Sequence, residues 1–243
     1  MRLEGAAALV TGAGRRVGQA IAIGLARAGC DIAVHYHGSR IGAEETRRAV
    51  RAAGRHAELI QADLSDAAVA RELADQASRL LNKLDVVVNS AAIMVRQSVE
   101  DVTPESWNAT FDLNLRAMFF VSQGAIPHLK RTKGKIVNLA DEAAYAQWPA
   151  YVPHCVSKAA VVRLTKALAR ALAPDIAVNA IAPGPVLLPE DWDAEAREHI
   201  RKTTPLGRIG SPDDVVAAVR FLLAGTDFVT GTVVVVDGGR LIR

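Results

Sequence analysis

The sequence predicts one α/β domain in which a seven-stranded parallel sheet is doubly wound, with helices on both faces. Short apolar runs alternate with longer segments of helical periodicity along the whole chain. Half of the 243 residues are hydrophobic but only 5% are aromatic. This apolar content, mostly Ala, Val, Leu and Ile, suits parallel strands buried on both faces. Because no linker, repeat or low-complexity tract interrupts residues 1–243, we expect a single domain.

Each element follows from its local pattern. Seven short apolar runs predict strands at residues 6–10, 31–36, 56–60, 85–89, 135–139, 176–180 and 232–236. Apolar residues at helical spacing predict helices at 15–28, 42–53, 66–80, 104–130 (in one or two pieces), 153–172 and 212–223. The polar stretch 183–208 is predicted to be an irregular substrate lid, because long loops in compact domains are usually functional.

Composition argues against several classes of function. A net charge of +3 with scattered basic residues does not indicate nucleic-acid binding. Cys30 and Cys155 make neither a disulfide framework nor a metal pattern, and no metal site is predicted. No apolar run approaches the ~20 residues that span a bilayer, and the first residues lack the layout of a signal peptide. We therefore expect a cytoplasmic protein that acts on a small molecule, with no membrane partner.

The first strand runs into a glycine-rich turn, Thr11-Gly12-Ala13-Gly14-Arg15-Arg16-Val17-Gly18. Gly12 permits a tight turn, and Gly18 permits close packing of helix on strand. The helix that follows offers free amides and a positive dipole end to a diphosphate. Between an apolar strand and a periodic helix, this turn is typical of a Rossmann-type dinucleotide site. An ordinary strand–helix turn is the alternative.

The stretch after the second strand indicates which dinucleotide. It reads His35-Tyr36-His37-Gly38-Ser39-Arg40 and lacks the carboxylate that usually holds the ribose of NAD. His37, Ser39 and Arg40 can instead donate to a 2′-phosphate, with Arg15 and Arg16 on the facing loop. The sequence therefore predicts NADP(H). Two later strand ends, Asp63-Leu64 and Asn89-Ser90-Ala91-Ala92, could contact the adenine and let the backbone pass close to the cofactor, or could be simple turns.

These motifs together resemble the classical short-chain dehydrogenase/reductase family over essentially the full length. The resemblance is carried by residues 11–18, 63–64, 89–92, 112–114, 157–160, 183–184, 230–231 and 237–239. Within the family, the chain most resembles the pteridine-reductase-like branch. Arg16 stands where most members have a glycine, residues 35–39 resemble that branch's NADPH-selecting stretch, and Asp141 replaces the usual catalytic serine. The resemblance further implies cofactor contacts from Pro183, Gly184 and Val186, and a homotetramer or homodimer.

The resemblance also implies a catalytic set of Asn114, Asp141, His154 and Lys158. Family members carry a tyrosine four residues before the lysine, on the same helical face. The lysine binds the nicotinamide ribose and lowers the tyrosine pKa. Here His154 occupies the tyrosine position. Three interpretations stay open: a working general acid, a damaged site, or a role in binding without reduction.

The aromatic residues before His154 are candidates for the substrate pocket. Tyr151 is expected in the loop that leads into the helix, where it would line the pocket, and Tyr145 and Trp148 could wall a planar substrate. Each could equally be a packing residue. The leading function is NADPH-dependent reduction of a pterin-like C=N bond or a carbonyl. Reduction of 3-oxoacyl or other ketones is the alternative within enzymes, and a non-catalytic NADP-binding protein is the alternative from another class.

Overall fold

The computed structural model describes residues 1–188 and 192–242. Its sheet has seven strands in the order β3-β2-β1-β4-β5-β6-β7, and every neighbouring pair is parallel. The strands are β1 Ala7–Val10, β2 Asp31–Tyr36, β3 Ala57–Gln61, β4 Val86–Asn89, β5 Lys135–Leu139, β6 Ala177–Pro183 and β7 Val233–Val236. The predicted fold class and all seven strands are confirmed. The largest difference in a strand is the far end of β6, which extends three residues beyond the prediction.

Helices connect these strands in the described part of the chain. They are α1 Arg16–Arg27, α2 Arg40–Ala52, α3 Ala67–Leu81, α4 Pro104–Phe111, α5 Ala117–Thr132, α6 Val152–Leu172, α7 Ala194–Thr203 and α8 Pro212–Arg220. A π-helical turn over Asp112–Arg116 separates α4 from α5, so the long helix predicted at 104–130 is in two pieces. The last predicted helix is shorter than 212–223, because a second π-helical turn over Phe221–Gly225 follows α8.

The prediction of an irregular 183–208 segment is wrong in one part. Residues 189–191 of this predicted lid lie outside the described residues, but α7 forms a regular helix within it. Asp193 caps α7 by accepting a hydrogen bond from the Ala196 amide. Arg201 and Lys202 lie in the last turn, where their positive charges interact favourably with the negative end of the helix dipole. None of the residues of α7 is buried, so the apolar periodicity that reveals a buried helix is missing from its sequence.

The core is divided between the two faces of the sheet. Along β1, Ala8 and Val10 pack in a cluster with α1, α2 and α8, whereas Ala7 and Leu9 pack in a second cluster with α3, α5 and α6. This alternation is the two-residue period of a strand whose faces are both buried. In such sheets a ligand binds at the carboxyl ends of the strands, near the point where the strand order reverses. That point lies between β1 and β4.

The structure also bears on membrane spans and metal sites. In the part of the chain that the structure describes, no helix is long and apolar enough to cross a membrane. Within the same residues, no three His, Cys, Asp or Glu side chains cluster closely enough to hold a metal ion.

Candidate active site

A cleft of about 940 Å³ opens along the carboxyl ends of the strands, at the predicted switch point. Most residues predicted to bind a cofactor line it, although they come from five different strand ends and from α6. They are Gly12, Arg15, Arg16, Val17, Gly18, His35, Tyr36, His37, Ser39, Asp63, Leu64, Ser90, Ala91, Lys158, Pro183, Gly184 and Val186. The cleft also contains Asp141, His154, Trp148 and Tyr151, so the candidate binding and catalytic groups share one space.

The glycine-rich turn is closely packed and leaves helix amides free. Gly12 has a φ of +65°, and a Cβ there would lie 2.9 Å from the Ala91 Cα. A Cβ at Gly18 would lie 2.4 Å from the Gly12 carbonyl oxygen. Arg15, at the N-terminus of α1, makes no side-chain cap, and the first turn holds no acidic residue. The unpaired amides and the positive end of the helix dipole fit a diphosphate.

Arg16 joins this turn to the predicted lid. Its φ of +53° lies in the left-handed region that favours glycine, as expected at a position where the resemblance places a glycine. Its Nη2 donates to the Leu187 carbonyl oxygen over 2.7 Å. The guanidinium therefore spans the space between the glycine-rich turn and the 183–208 segment.

The residues expected to select the cofactor do not all point into the cleft. Both ring nitrogens of His35 are hydrogen-bonded, to the Gly12 amide and the Ala62 carbonyl. Burial lowers its pKa to about 4, so this ring is not a charged phosphate ligand. His37 Nδ1 lies 3.4 Å from Asp63 Oδ1 at the exposed mouth. Ser65 lowers the pKa of Asp63 by donating two hydrogen bonds, with a smaller effect of His37.

Three residues expected at the cofactor do not line the cleft. Gly14 packs behind it, since a Cβ there would lie 2.3 Å from Ser39 Oγ. Arg40 is exposed at the first position of α2. Asn89 is buried, and its Nδ2 donates to Ser122 Oγ and Asn138 Oδ1. The sequence cannot distinguish these positions, because a residue at a strand end can point to the cleft or into the core.

Asp141, His154 and Lys158 form the chemical centre of the cleft. Asp141 follows β5; its Oδ1 accepts from the Ala143 amide, and its Oδ2 lies 3.7 Å from His154 Nε2. His154 is in the first turn of α6 and is 3% exposed. Its Nδ1 donates to the Ile93 carbonyl over 3.2 Å, and its Nε2 has no hydrogen-bond partner. A buried, unpaired ring nitrogen therefore faces a carboxylate at the cleft.

Lys158 lies one helical turn after His154 on the same face of α6. Its Nζ is buried and donates to the Leu139 carbonyl over 2.8 Å. Burial lowers the pKa of Lys158, and the nearby Asp141 carboxylate opposes this shift. The ammonium keeps two further donors for a ligand in the cleft.

Asn114 lies behind the cleft rather than in it. It is fully buried in the π-helical turn between α4 and α5. Its Oδ1 accepts from the Ile93 amide, and its Nδ2 donates to the Ile93 carbonyl and to Ser157 Oγ. Because His154 donates to the same Ile93 carbonyl, Asn114 fixes the backbone that orients the imidazole.

Two of the three candidate pocket aromatics line the cleft. Tyr151 ends a short 3₁₀ turn before α6, as expected, and its ring packs edge-on against Trp148 at 6.0 Å between centroids. Tyr145 is 43% exposed and does not line the cleft, because it follows the 3₁₀ turn Glu142–Ala144 at the surface. Trp192, which the sequence analysis did not select, lines the cleft near α7.

Sequence reasoning also missed a buried ion pair in the cleft. Glu142 is 5% exposed, and its Oε2 lies 3.4 Å from Arg240 Nε. Arg240 Nη1 also donates to Thr203 Oγ1 at the end of α7. Burial raises the pKa of Glu142 to about 7, with Arg240 opposing the shift and Asp141 and Asp237 adding to it. A charged residue directly after a strand-end aspartate was the available signal.

Comparisons with known proteins identify the family of the chain. A family model described as enoyl-(acyl carrier protein) reductase matches residues 12–240. The chain is 36% identical over 245 residues to 3beta-hydroxysteroid dehydrogenase 1 of Eggerthella lenta, covering 98% of this chain and 94% of that relative. It is 37% identical over 250 residues to 2-dehydro-3-deoxy-D-gluconate 5-dehydrogenase of Bacillus subtilis, covering 99% and 96%.

A solved structure gives the same result for the fold. The short-chain dehydrogenase from Burkholderia cenocepacia in complex with NADP has a TM-score of 0.92 and 36% identity, and the match covers 99% of each chain. The family model matches nearly the whole chain, and the fold agrees with that of the solved structure over nearly its full length. The chain therefore belongs to the short-chain dehydrogenase/reductase family, whose members are NAD(P)-dependent oxidoreductases.

Proposed function

We propose that the protein is an NADP(H)-dependent reductase of a carbonyl substrate, with His154 and Asp141 as the proton-donating pair. The observation that carries this proposal is the unpaired His154 Nε2, which lies 3.7 Å from the Asp141 carboxylate in the cleft that also contains the glycine-rich turn. A buried polar atom without a partner is unusual in a folded protein and points to a ligand or a reacting group.

The residues of the cleft fit NADP(H). The uncapped first turn of α1 would hold the diphosphate, and Lys158 would hold the nicotinamide ribose. Arg15, His37 and Ser39 line the end of the cleft where a 2′-phosphate would lie, and no carboxylate occurs in β2 after Asp31 or in residues 37–40. The related Burkholderia structure contains NADP, which supports the same assignment here.

The chemistry that bound NADPH supplies is a hydride for the carbonyl carbon. The chain must then deliver a proton to the carbonyl oxygen. In His154 the Nδ1 proton is held by the Ile93 carbonyl, so Nε2 is the nitrogen that can carry a transferable proton. The Asp141 carboxylate lies 3.7 Å from Nε2, and its 27% exposed side chain connects the pair to solvent. This arrangement supports histidine as a working acid in the position of the usual tyrosine.

The substrate class rests on the relatives and on the walls of the cleft. The named relatives are hydroxysteroid and sugar-acid dehydrogenases, which favours a carbonyl or the corresponding alcohol. Trp148, Tyr151 and Trp192 provide flat apolar surfaces in the walls of the cleft. A pterin-like C=N bond is the second candidate. Asp141 favours it, because the resemblance to pteridine reductases implies an aspartate in place of the usual catalytic serine. The resemblance of Arg16 and residues 35–39 to the pteridine-reductase-like branch supports the same second candidate.

The test combines NADPH turnover with substitutions at position 154. Wild-type protein is expected to consume NADPH with at least one member of a panel of ketones, 3-oxoacyl thioesters and dihydropterins. His154→Ala should lower turnover by about 10²-fold, since a general acid contributes at least that much. His56→Ala is the matched control, because His56 is half-exposed outside the cleft and pairs with Glu58.

His154→Tyr separates the remaining interpretations. If histidine is the working acid, this variant lowers turnover; if the site is a damaged one, it raises turnover above wild type. NADPH binding without turnover by wild type or by either His154 variant would contradict the reductase proposal and favour a non-catalytic NADP-binding protein.

We also propose a homotetramer or homodimer in the cytoplasm, as the family resemblance implies. The sheet-edge strand β7 carries the exposed Val235, and Phe228 and Ile242 are exposed as well. Such apolar residues fit contacts between copies of the chain. Sedimentation velocity is expected to show a species of two or four chains, and a monomer at micromolar concentration would contradict this.

A further inference from the structure

We propose that His35 is a positioning residue for the cofactor, because its imidazole joins the glycine-rich turn to the strand end that carries Asp63. The inference rests on the proposed NADP(H) function and assigns His35 a role that acts through the backbone. The ring sits in β2, between the two loops that would hold the diphosphate and the adenosine end.

The hydrogen bonds of His35 define this role. Nδ1 accepts from the Gly12 amide over 3.1 Å, and Nε2 donates to the Ala62 carbonyl over 3.2 Å. The backbone carbonyl of His35 also accepts from the Ala13 amide over 2.9 Å. One residue therefore holds two consecutive positions of the glycine-rich turn and the residue before Asp63. The residue is 2% exposed, so solvent does not compete for these bonds.

The partners determine the protonation state of the ring. An amide can only donate and a carbonyl can only accept, so both bonds require a neutral imidazole with its hydrogen on Nε2. Burial independently lowers the pKa of His35 to about 4, and His37 contributes in the same direction. The neutral tautomer is thus the form present at neutral pH.

The position of Gly12 explains why the hydrogen bonds of His35 matter. On one side, a Cβ at Gly12 would approach the Ala91 Cα to 2.9 Å, so the turn has no room to move toward β4. On the other side, the Gly12 amide is bonded to His35. The turn is held between these two contacts, and the amides left for a diphosphate come from the residues that follow Ala13, because the Ala13 amide is bonded to the His35 carbonyl. An apolar side chain of similar size would fill the space but leave the Gly12 amide and the Ala62 carbonyl unpaired.

The experiment compares His35→Leu and His35→Asn in the full-length protein. Leucine removes both side-chain bonds, whereas asparagine places an acceptor oxygen near the site of Nδ1 and can retain the bond from Gly12. The Kd for NADPH and for adenosine 2′,5′-bisphosphate is measured by fluorescence titration and competition. We expect His35→Leu to weaken both ligands by about tenfold or more and His35→Asn to recover most of the loss.

Kinetics and a stability control separate positioning from general destabilisation. At saturating NADPH, kcat of both variants should stay within about twofold of wild type while KM for NADPH rises with the Kd. Gly24→Ala is the control, because its Cβ would meet Val216 Cγ1 at 2.3 Å, away from the cleft. It should lower the Tm without changing either Kd.

The outcomes distinguish this inference from the function on which it rests. If wild type binds NADPH and both His35 variants bind it within about twofold of wild type, the inference is wrong. A fall in kcat with unchanged KM in either variant also overturns it. If wild type itself does not bind NADPH, the proposed function fails and the inference fails with it.

Discussion

Gly18 gives the sharpest test of the glycine-rich turn as a cofactor cradle. It lies in the first turn of α1, where the helix meets the end of β1. In Gly18→Ala, the added Cβ would lie 2.4 Å from the Gly12 carbonyl oxygen and 3.1 Å from Ser90 Oγ. Real Cβ atoms do not approach other heavy atoms closer than 3.0 Å, so helix and turn must separate by at least 0.6 Å, which is 3.0 minus 2.4.

This separation has a cost that can be measured. Overpacking by one methyl group costs about 1–3 kcal/mol. For a chain of this size, each kcal/mol lowers the Tm by about 2–4 °C. If the whole ~1–3 kcal/mol destabilises the free protein, its Tm therefore falls by roughly 2–12 °C. If the turn relaxes in the free protein, NADPH binding must force it back, and the same energy raises the Kd by about 5- to 150-fold. We expect at least a fivefold loss of NADPH affinity.

Two glycines provide matched controls for this variant. Gly24 is on the same helix but faces α8, so Gly24→Ala should lower the Tm and leave the NADPH Kd unchanged. A Cβ at Gly38 would meet nothing within 4 Å, so Gly38→Ala should not lower the Tm. The assays are thermal unfolding of the free protein and fluorescence titration with NADPH. The reasoning is refuted if Gly18→Ala binds NADPH like wild type, or if Gly24→Ala loses as much affinity.

Three further predictions concern buried titratable groups. Lys158→Met should raise the NADPH Kd and lower turnover by about 10²-fold, and a loss below threefold in initial-rate assays would contradict its placement at the cofactor. Glu142 has a folded-state pKa raised from 4.5 to about 7, so the folded protein binds the extra proton. Its contribution to stability is present below pH 4.5 and is lost as the pH rises from 4.5 to 7. In urea unfolding, Glu142→Gln should therefore gain stability relative to wild type as the pH rises from 4.5 to 7. A difference in the free energy of unfolding that stays constant over this pH range would argue against the raised pKa of Glu142. Burial raises the pKa of the Cys30 thiol to about 12, so it should not react with a thiol reagent until the protein unfolds, and reaction in the native state would show that this part of the core opens.

The fold was predictable because its pattern is local. Buried parallel strands are continuous apolar runs, and the helices that cover them carry an apolar stripe, so both are visible in a window of a few residues. Exposed α7 is the exception, because a helix without a buried face shows only caps and charges. The π-helical turns also escape such patterns, although the helix over 104–130 was predicted in one or two pieces.

The sequence predicted which residues form the candidate site, but not how their side chains are oriented. Residues at strand ends can be identified from sequence, and most of those selected do line the cleft. Their orientation depends on neighbours distant in the chain. Asn89 turns to Ser122 and Asn138, and Asn114 turns to Ile93, because these buried amides need hydrogen-bond partners. The Glu142–Arg240 pair joins residues almost a hundred positions apart, and no local pattern reveals such a contact.

The most direct test of the central claim is the rate of NADPH oxidation by wild-type protein with the substrate panel, measured beside His154→Ala and the His56→Ala control. We predict turnover with a carbonyl substrate that His154→Ala reduces by about 10²-fold and His56→Ala leaves unchanged. If His154→Ala and wild type oxidise NADPH at the same rate, or if neither oxidises it with any substrate, the assignment of His154 as the proton donor is contradicted.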